Sequence, residues 1–127
     1  MRKWLIATAI LLCTAAVAVG QNYGSTPYDA NGLTNSVKTV KASRGLLQVL
    51  SCYNPNSSAA YVQVFDTASA PTVGVTAPRF SIGFGATSSQ SVPLGVGMLN
   101  AIKIAATQTA TGSSALDAPI NCTVAFQ

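Results

Sequence analysis

The residues able to do chemistry are few in this 127-residue chain. It has no histidine and no glutamate; its acids are Asp29, Asp66 and Asp117, and its cysteines are Cys13, Cys52 and Cys122. Without an imidazole, the nucleophile triads built on a histidine base are excluded. Hydrolysis by paired carboxylates needs two acids flanking the scissile bond. Asp66 and Asp117 are the pair able to converge, yet each ends a strand-like run, where capping a turn is the commoner role. Three scattered aspartates make a poor calcium cage, and no CxxC pair offers a zinc or redox site. Gly83–Gly85 and Gly95–Gly97 neither open a helix nor precede a lysine, so they read as turn glycines and not as phosphate loops. No cofactor, no metal and no enzymatic activity are expected.

The cysteines are more informative once the N-terminus is considered. Arg2-Lys3 is followed by the almost wholly apolar run Trp4–Val19 and by small residues at Ala18 and Gly20. This is the pattern of a secretory signal peptide over residues 1–20, cut before Gln21 or, alternatively, after Ala18. An uncleaved anchor is the other reading, for which the run is short against a span of about 20 residues. Cleavage removes Cys13 and leaves Cys52 and Cys122 in an oxidising compartment, where an even count favours a disulfide over two buried thiols. A closed loop of about seventy residues contributes about 4 kcal/mol in the chain-entropy model. Of the formal charge of +4, Arg2 and Lys3 go with the signal, leaving five basic residues against three aspartates. No cluster of positive charge remains to follow a phosphate backbone, so no nucleic-acid partner is expected. Any membrane contact is confined to the signal segment.

The elements that position these groups are strands. Gln21–Ser36, with Tyr23 and Tyr28, has neither a helical nor a strand period and reads as a flexible arm. Val37–Ala42 is a weak strand whose lysines suit an exposed edge. Gly45–Tyr53 (GLLQVLSCY) is apolar on both alternating faces, with Leu46, Leu50 and Cys52 on one and Leu47, Val49 and Tyr53 on the other. That pattern predicts a central strand covered on each side. Ala60–Asp66 is rich in β-branched and aromatic residues. Arg79–Phe84 alternates cleanly, with Phe80, Ile82 and Phe84 inward. Ala86–Gln90 reads as a polar turn, and Pro93 demotes the following run to an edge. Leu99–Thr107 places Ile102 and Ile104 inward around an outward Lys103. Ile120–Phe126 turns Cys122 inward, able to meet Cys52. About seven short strands with Gly, Pro, Ser and Asn turns predict an all-β antiparallel sandwich over residues 37–127, immunoglobulin-like or jelly-roll.

Candidate interaction residues follow from this layout. Tyr53, Tyr61 and Phe65 can form an aromatic strip for carbohydrate stacking, or pack against neighbouring strands. Arg79 and Lys103 can form a small basic spot, or act as solvated strand charges. Asn56-Ser57-Ser58 and Asn121-Cys122-Thr123 match the glycosylation sequon.

The stretches YNPNSSAAYVQVFDTASAP (Tyr53–Pro71), TAPRFSI (Thr76–Ile82) and VPLGVGMLNAIKIAATQTATGS (Val92–Ser113) resemble small all-β proteins encoded among bacteriophage structural genes. The resemblance implies a compact sandwich that builds or decorates a virion or other extracellular assembly, with no catalytic residues to carry over. An exported cellular protein of the same architecture is the other setting that the signal and the cysteine pair fit. The expected role is a structural or interaction module, secreted, periplasmic, on the cell surface or in a virion, binding protein partners or itself through the tyrosine-bearing arm. The alternative is a ligand-binding module, for carbohydrate or a surface receptor, using loops at one end of the sandwich.

Overall fold

The computed structural model describes residues 24–127, so the segment 1–20 and Tyr23 lie outside the described residues. Among the described residues there are eight strands: β1 (Thr26–Leu33), β2 (Lys38–Lys41), β3 (Gly45–Asn54), β4 (Ala60–Phe65), β5 (Phe80–Phe84), β6 (Ser88–Met98), β7 (Ile102–Thr107) and β8 (Ile120–Phe126). They form two four-stranded antiparallel sheets, ordered β1-β8-β3-β6 and β2-β7-β4-β5. The pairings β1·β8, β2·β7, β3·β6 and β4·β5 nest inside one another. Eight strands wound in this way make a jelly roll, one of the two sandwich types that the strand pattern allows.

The sheets meet over a single apolar core. Leu33, Leu47, Leu50, Ile120 and Val124 of the first sheet pack with Val62, Val64, Phe84, Ile102 and Ile104 of the second, all fully buried. Each such side chain contributes about 1.5–3 kcal/mol relative to exposure. Cys52 and Cys122 lie in this interface as a register pair of β3 and β8, joined by a disulfide with an S–S distance of 2.06 Å. The bond links neighbouring strands of one sheet and does not cross between sheets.

Four expectations from the sequence are corrected. Thr26–Leu33 belongs to a strand and not to a flexible arm: it pairs with β8 from Thr26↔Phe126 to Leu33↔Ile120 and turns Ala30 and Leu33 into the core. As an edge strand it needs one ladder only, which tolerates its Pro27 and Gly32. Adding β1 raises the strand count to eight. Second, the polar segment Ala86–Gln90 holds only a short turn, and β6 already begins at Ser88.

The third correction concerns β3. Its register shifts between Leu47 and Val49 against both neighbours, so Leu47 joins Leu50 and Cys52 on the inner face. Such a bulge inserts one residue and reverses the alternation beyond it. On β6 the same irregularity sits beside Gly95, whose φ of +62° favours glycine. The outer face of β3 is not covered, and Tyr53 there is 45% exposed.

Fourth, Lys103 is buried, not outward in solvent. Every residue of β7 is buried, because the segments 66–79 and 108–119 fold over the outer face of its sheet. Lys103 Nζ donates to the carbonyls of Ala68 (2.8 Å) and Ser69 (2.7 Å). Gln63, fully buried on β4, donates through Nε2 to Thr107 Oγ1 and to the carbonyls of Thr109 and Gly112. Ser81 Oγ donates to the Ala110 carbonyl. Among the described residues, one sheet is therefore covered on both faces and the other on its inner face alone.

Candidate functional site

The bare face belongs to β1-β8-β3-β6, and its side chains are set by register. One row runs Pro27–Ala125–Val49–Pro93 and the next Asp29–Thr123–Ser51–Ser91; the third contains Asn121, Tyr53 and Ser89. In a strand, alternate residues share a face, so these rows stand together opposite the core. The first row is apolar, and hydroxyls and amides dominate the other two. Ser51 Oγ and Ser91 Oγ are 2.7 Å apart, Thr123 Oγ1 donates to Asp29 Oδ1 at 3.4 Å, and Asn121 Oδ1 accepts the Gly32 N–H at 3.0 Å. Tyr53 stands among them as the large apolar group. An open, nearly uncharged surface with a partly exposed aromatic suits contact with another protein surface better than enclosure of a small molecule.

The residues singled out from the sequence do not gather into one site. Tyr28 is half-buried on β1 and packs against the core. Tyr61 is half-buried on the outer face of β4, its ring over Gly83, and Phe65 on the same face is buried beneath the loops. Tyr53 and Tyr61 thus lie on opposite faces of the sandwich, and the three aromatics form no strip. Arg79 pairs with Asp66, and Lys103 is held by loop carbonyls, so the two make no free basic spot.

Asp66 is the acid with the most hydrogen bonds among the described residues. It follows directly on β4 and accepts from the backbone N–H groups of Leu99 (2.9 Å), Asn100 (2.7 Å) and Ala101 (3.4 Å) and from the Arg79 guanidinium. Burial raises its pKa, but these donors outweigh that and hold the carboxyl down to about 2. They clamp the β6–β7 turn. Asp117 neighbours Ala118, whose N–H and carbonyl bond the Asn56 amide at the other end of β4. The two aspartates therefore form no catalytic pair. Among the described residues no three His, Cys, Asp or Glu side chains assemble as metal ligands.

Asn56 of the first sequon is buried, with both amide atoms bonded, whereas Asn121 of the second stands exposed on the bare face. The bare face itself escapes a reading of the sequence, in which β3 looks covered on both sides. The polar outward set Asn121 and Thr123 on β8 is the signal that points to it.

No protein-family model matches the sequence, and no curated protein does. Among solved structures the chain is similar to the Tobacco streak virus coat protein, at 10% sequence identity and a TM-score of 0.40, over 87% of this chain and 90% of that one.

Proposed function

We propose that the protein is an exported, non-catalytic structural or interaction module that binds protein partners, copies of itself included, through the bare β1-β8-β3-β6 sheet. The observation that carries this reading is the asymmetry of the sandwich. Among the described residues, two long segments cover one sheet, and the other keeps an open face of Ser51, Ser91, Thr123 and Asn121 around Tyr53. Unlike charges on a mobile surface, groups in a rigid sheet bind at little ordering cost. The resemblance to phage-encoded structural proteins, and the use of jelly rolls in viral capsid domains, support a virion or extracellular assembly by analogy of fold.

Light scattering of the protein purified after export, followed over a hundredfold range of concentration, tests the reading. The weight-average mass is expected to rise above that of a single chain. A single-chain mass throughout would remove self-association from the proposal.

A further inference from the structure

The four edges of the sandwich are protected unequally against further pairing. β2 carries Lys38 and Lys41, and β1 carries Pro27 and Asp29; charges and prolines on an edge discourage an incoming strand. β5 has five residues and follows directly on Arg79. β6 is the longest strand and has no charged residue from Ser88 to Met98. Pro93 and the irregularity at Gly95 close its second half. What remains is a regularly paired, uncharged edge over Ser88–Val92, with Ser89, Gln90 and Ser91 exposed and a shallow hollow alongside lined by Ser51 and Cys52.

The direction of its backbone groups follows from the ladder. Antiparallel strands alternate hydrogen-bonded pairs with closer, non-hydrogen-bonded ones. Leu46 and Gln127 exchange both N–H···O bonds at 2.9 Å, so Phe126, Val124 and Cys122 of β8 form the non-bonded pairs with β3. The 4.1 Å Cα separation of Cys52 and Cys122 agrees. Leu50 and Cys52 accordingly direct their N–H and C=O toward β6, where they meet Val92 and Gln90. Ser89 and Ser91 then direct theirs away from the sheet. Pro93 falls in the same outward phase, where its missing N–H disrupts nothing.

We propose that this edge pairs with the same edge of a second copy, antiparallel about a twofold axis at Gln90. This places the self-association proposed above at the rim of that sheet, leaving its bare face open, and rests on that reading. With the axis there, Ser89 faces the partner's Ser91 and Ser91 faces the partner's Ser89. Each pair exchanges two backbone bonds, four in all. The two four-stranded sheets become one of eight strands, and their bare faces become continuous. Charge selects a second copy as occupant: the Ser-Gln-Ser stretch is neutral and meets itself without repulsion, whereas a twofold contact at β2 would bring lysines together.

The register gives a charge-swap test on the full chain produced in an oxidising compartment. S89K/S91K places two lysine pairs across the axis and is expected to raise the dissociation constant about tenfold or more. S89K/S91D places each lysine opposite an aspartate and is expected to restore association to near the wild-type level. Both side chains are exposed and both variants lose the same Ser51–Ser91 hydroxyl contact, so their circular dichroism and denaturation midpoints are expected to match each other and to lie close to wild type. An S89K/S91K protein that associates as wild type does would overturn the edge while leaving self-association standing elsewhere on the molecule. Equal weakening in both variants would overturn the register. A wild-type chain that stays single at every concentration would overturn the edge and the self-association reading together.

Discussion

Replacing Asp66 by asparagine separates the clamp at the β6–β7 turn from every other acid in the protein. The carboxylate accepts three backbone N–H groups and the Arg79 guanidinium, and its side chain is 9% exposed. Its pKa falls from 3.8 to about 2 on folding. A carboxyl with a depressed folded pKa stabilises the fold fully above its unfolded pKa, and that contribution is lost as pH falls through the folded value. At 1.36 kcal/mol per pKa unit, the ionised group contributes roughly 2 kcal/mol above pH 5, less whatever solvent screening removes at half-open Arg79. Asp66→Asn keeps one acceptor but turns an amide N–H toward the turn's own donors. Urea denaturation of both proteins at pH 7, 5, 3 and 2 reads the difference. Wild type is expected to exceed the variant by roughly 2 kcal/mol at pH 5–7, with the gap closing between pH 4 and pH 2. Asp29 and Asp117 are common to both proteins, so their contributions cancel. A gap that stays constant down to pH 2 would refute the account, since it would then owe nothing to ionisation at Asp66.

Two further outcomes are expected. Converting Cys52 and Cys122 to serine should lower the unfolding free energy by about 4 kcal/mol in denaturant, and native wild type should take up no alkylating agent at either position; a loss below 1 kcal/mol would count against the staple. Lys103→Met should cost about 2 kcal/mol or more by thermal or chemical denaturation, because two loop carbonyls lose a charged donor, while exposed Arg44→Met should stay within about 0.5 kcal/mol.

Strands whose inner and outer residues alternate without interruption are legible in the sequence alone. β5 and β8 are of that kind, and Pro93 correctly marks β6 as an edge. β1 is not legible, because TPYDANGL has no period of its own and is a strand only through its ladder with β8. Inside β3 the bulge at Gln48 changes the phase, so both faces look apolar when only one is buried. Lys103 misleads for a different reason. A lysine between two isoleucines reads as solvent-facing, whereas the segment from Thr67 to Thr76 lies over it and offers it carbonyls. Individual site candidates are the least legible, since Tyr53 and Tyr61, eight positions apart, end on opposite sheets.

The nested pairing has a consequence for how the chain is made. β1 needs β8, β2 needs β7 and β3 needs β6, so no strand among the first three has its partner until the second half exists. Such long-range pairing is slow, because loop closure must precede the contacts that reward it. The hairpin of β4 and β5 can form early, and the first sheet must wait for Ile120–Phe126. A chain passing through a membrane from its N-terminus would therefore stay open during transit. Cys52 would meet Cys122 only after nearly the whole sequence had arrived, which makes closing the disulfide a late event that records complete delivery.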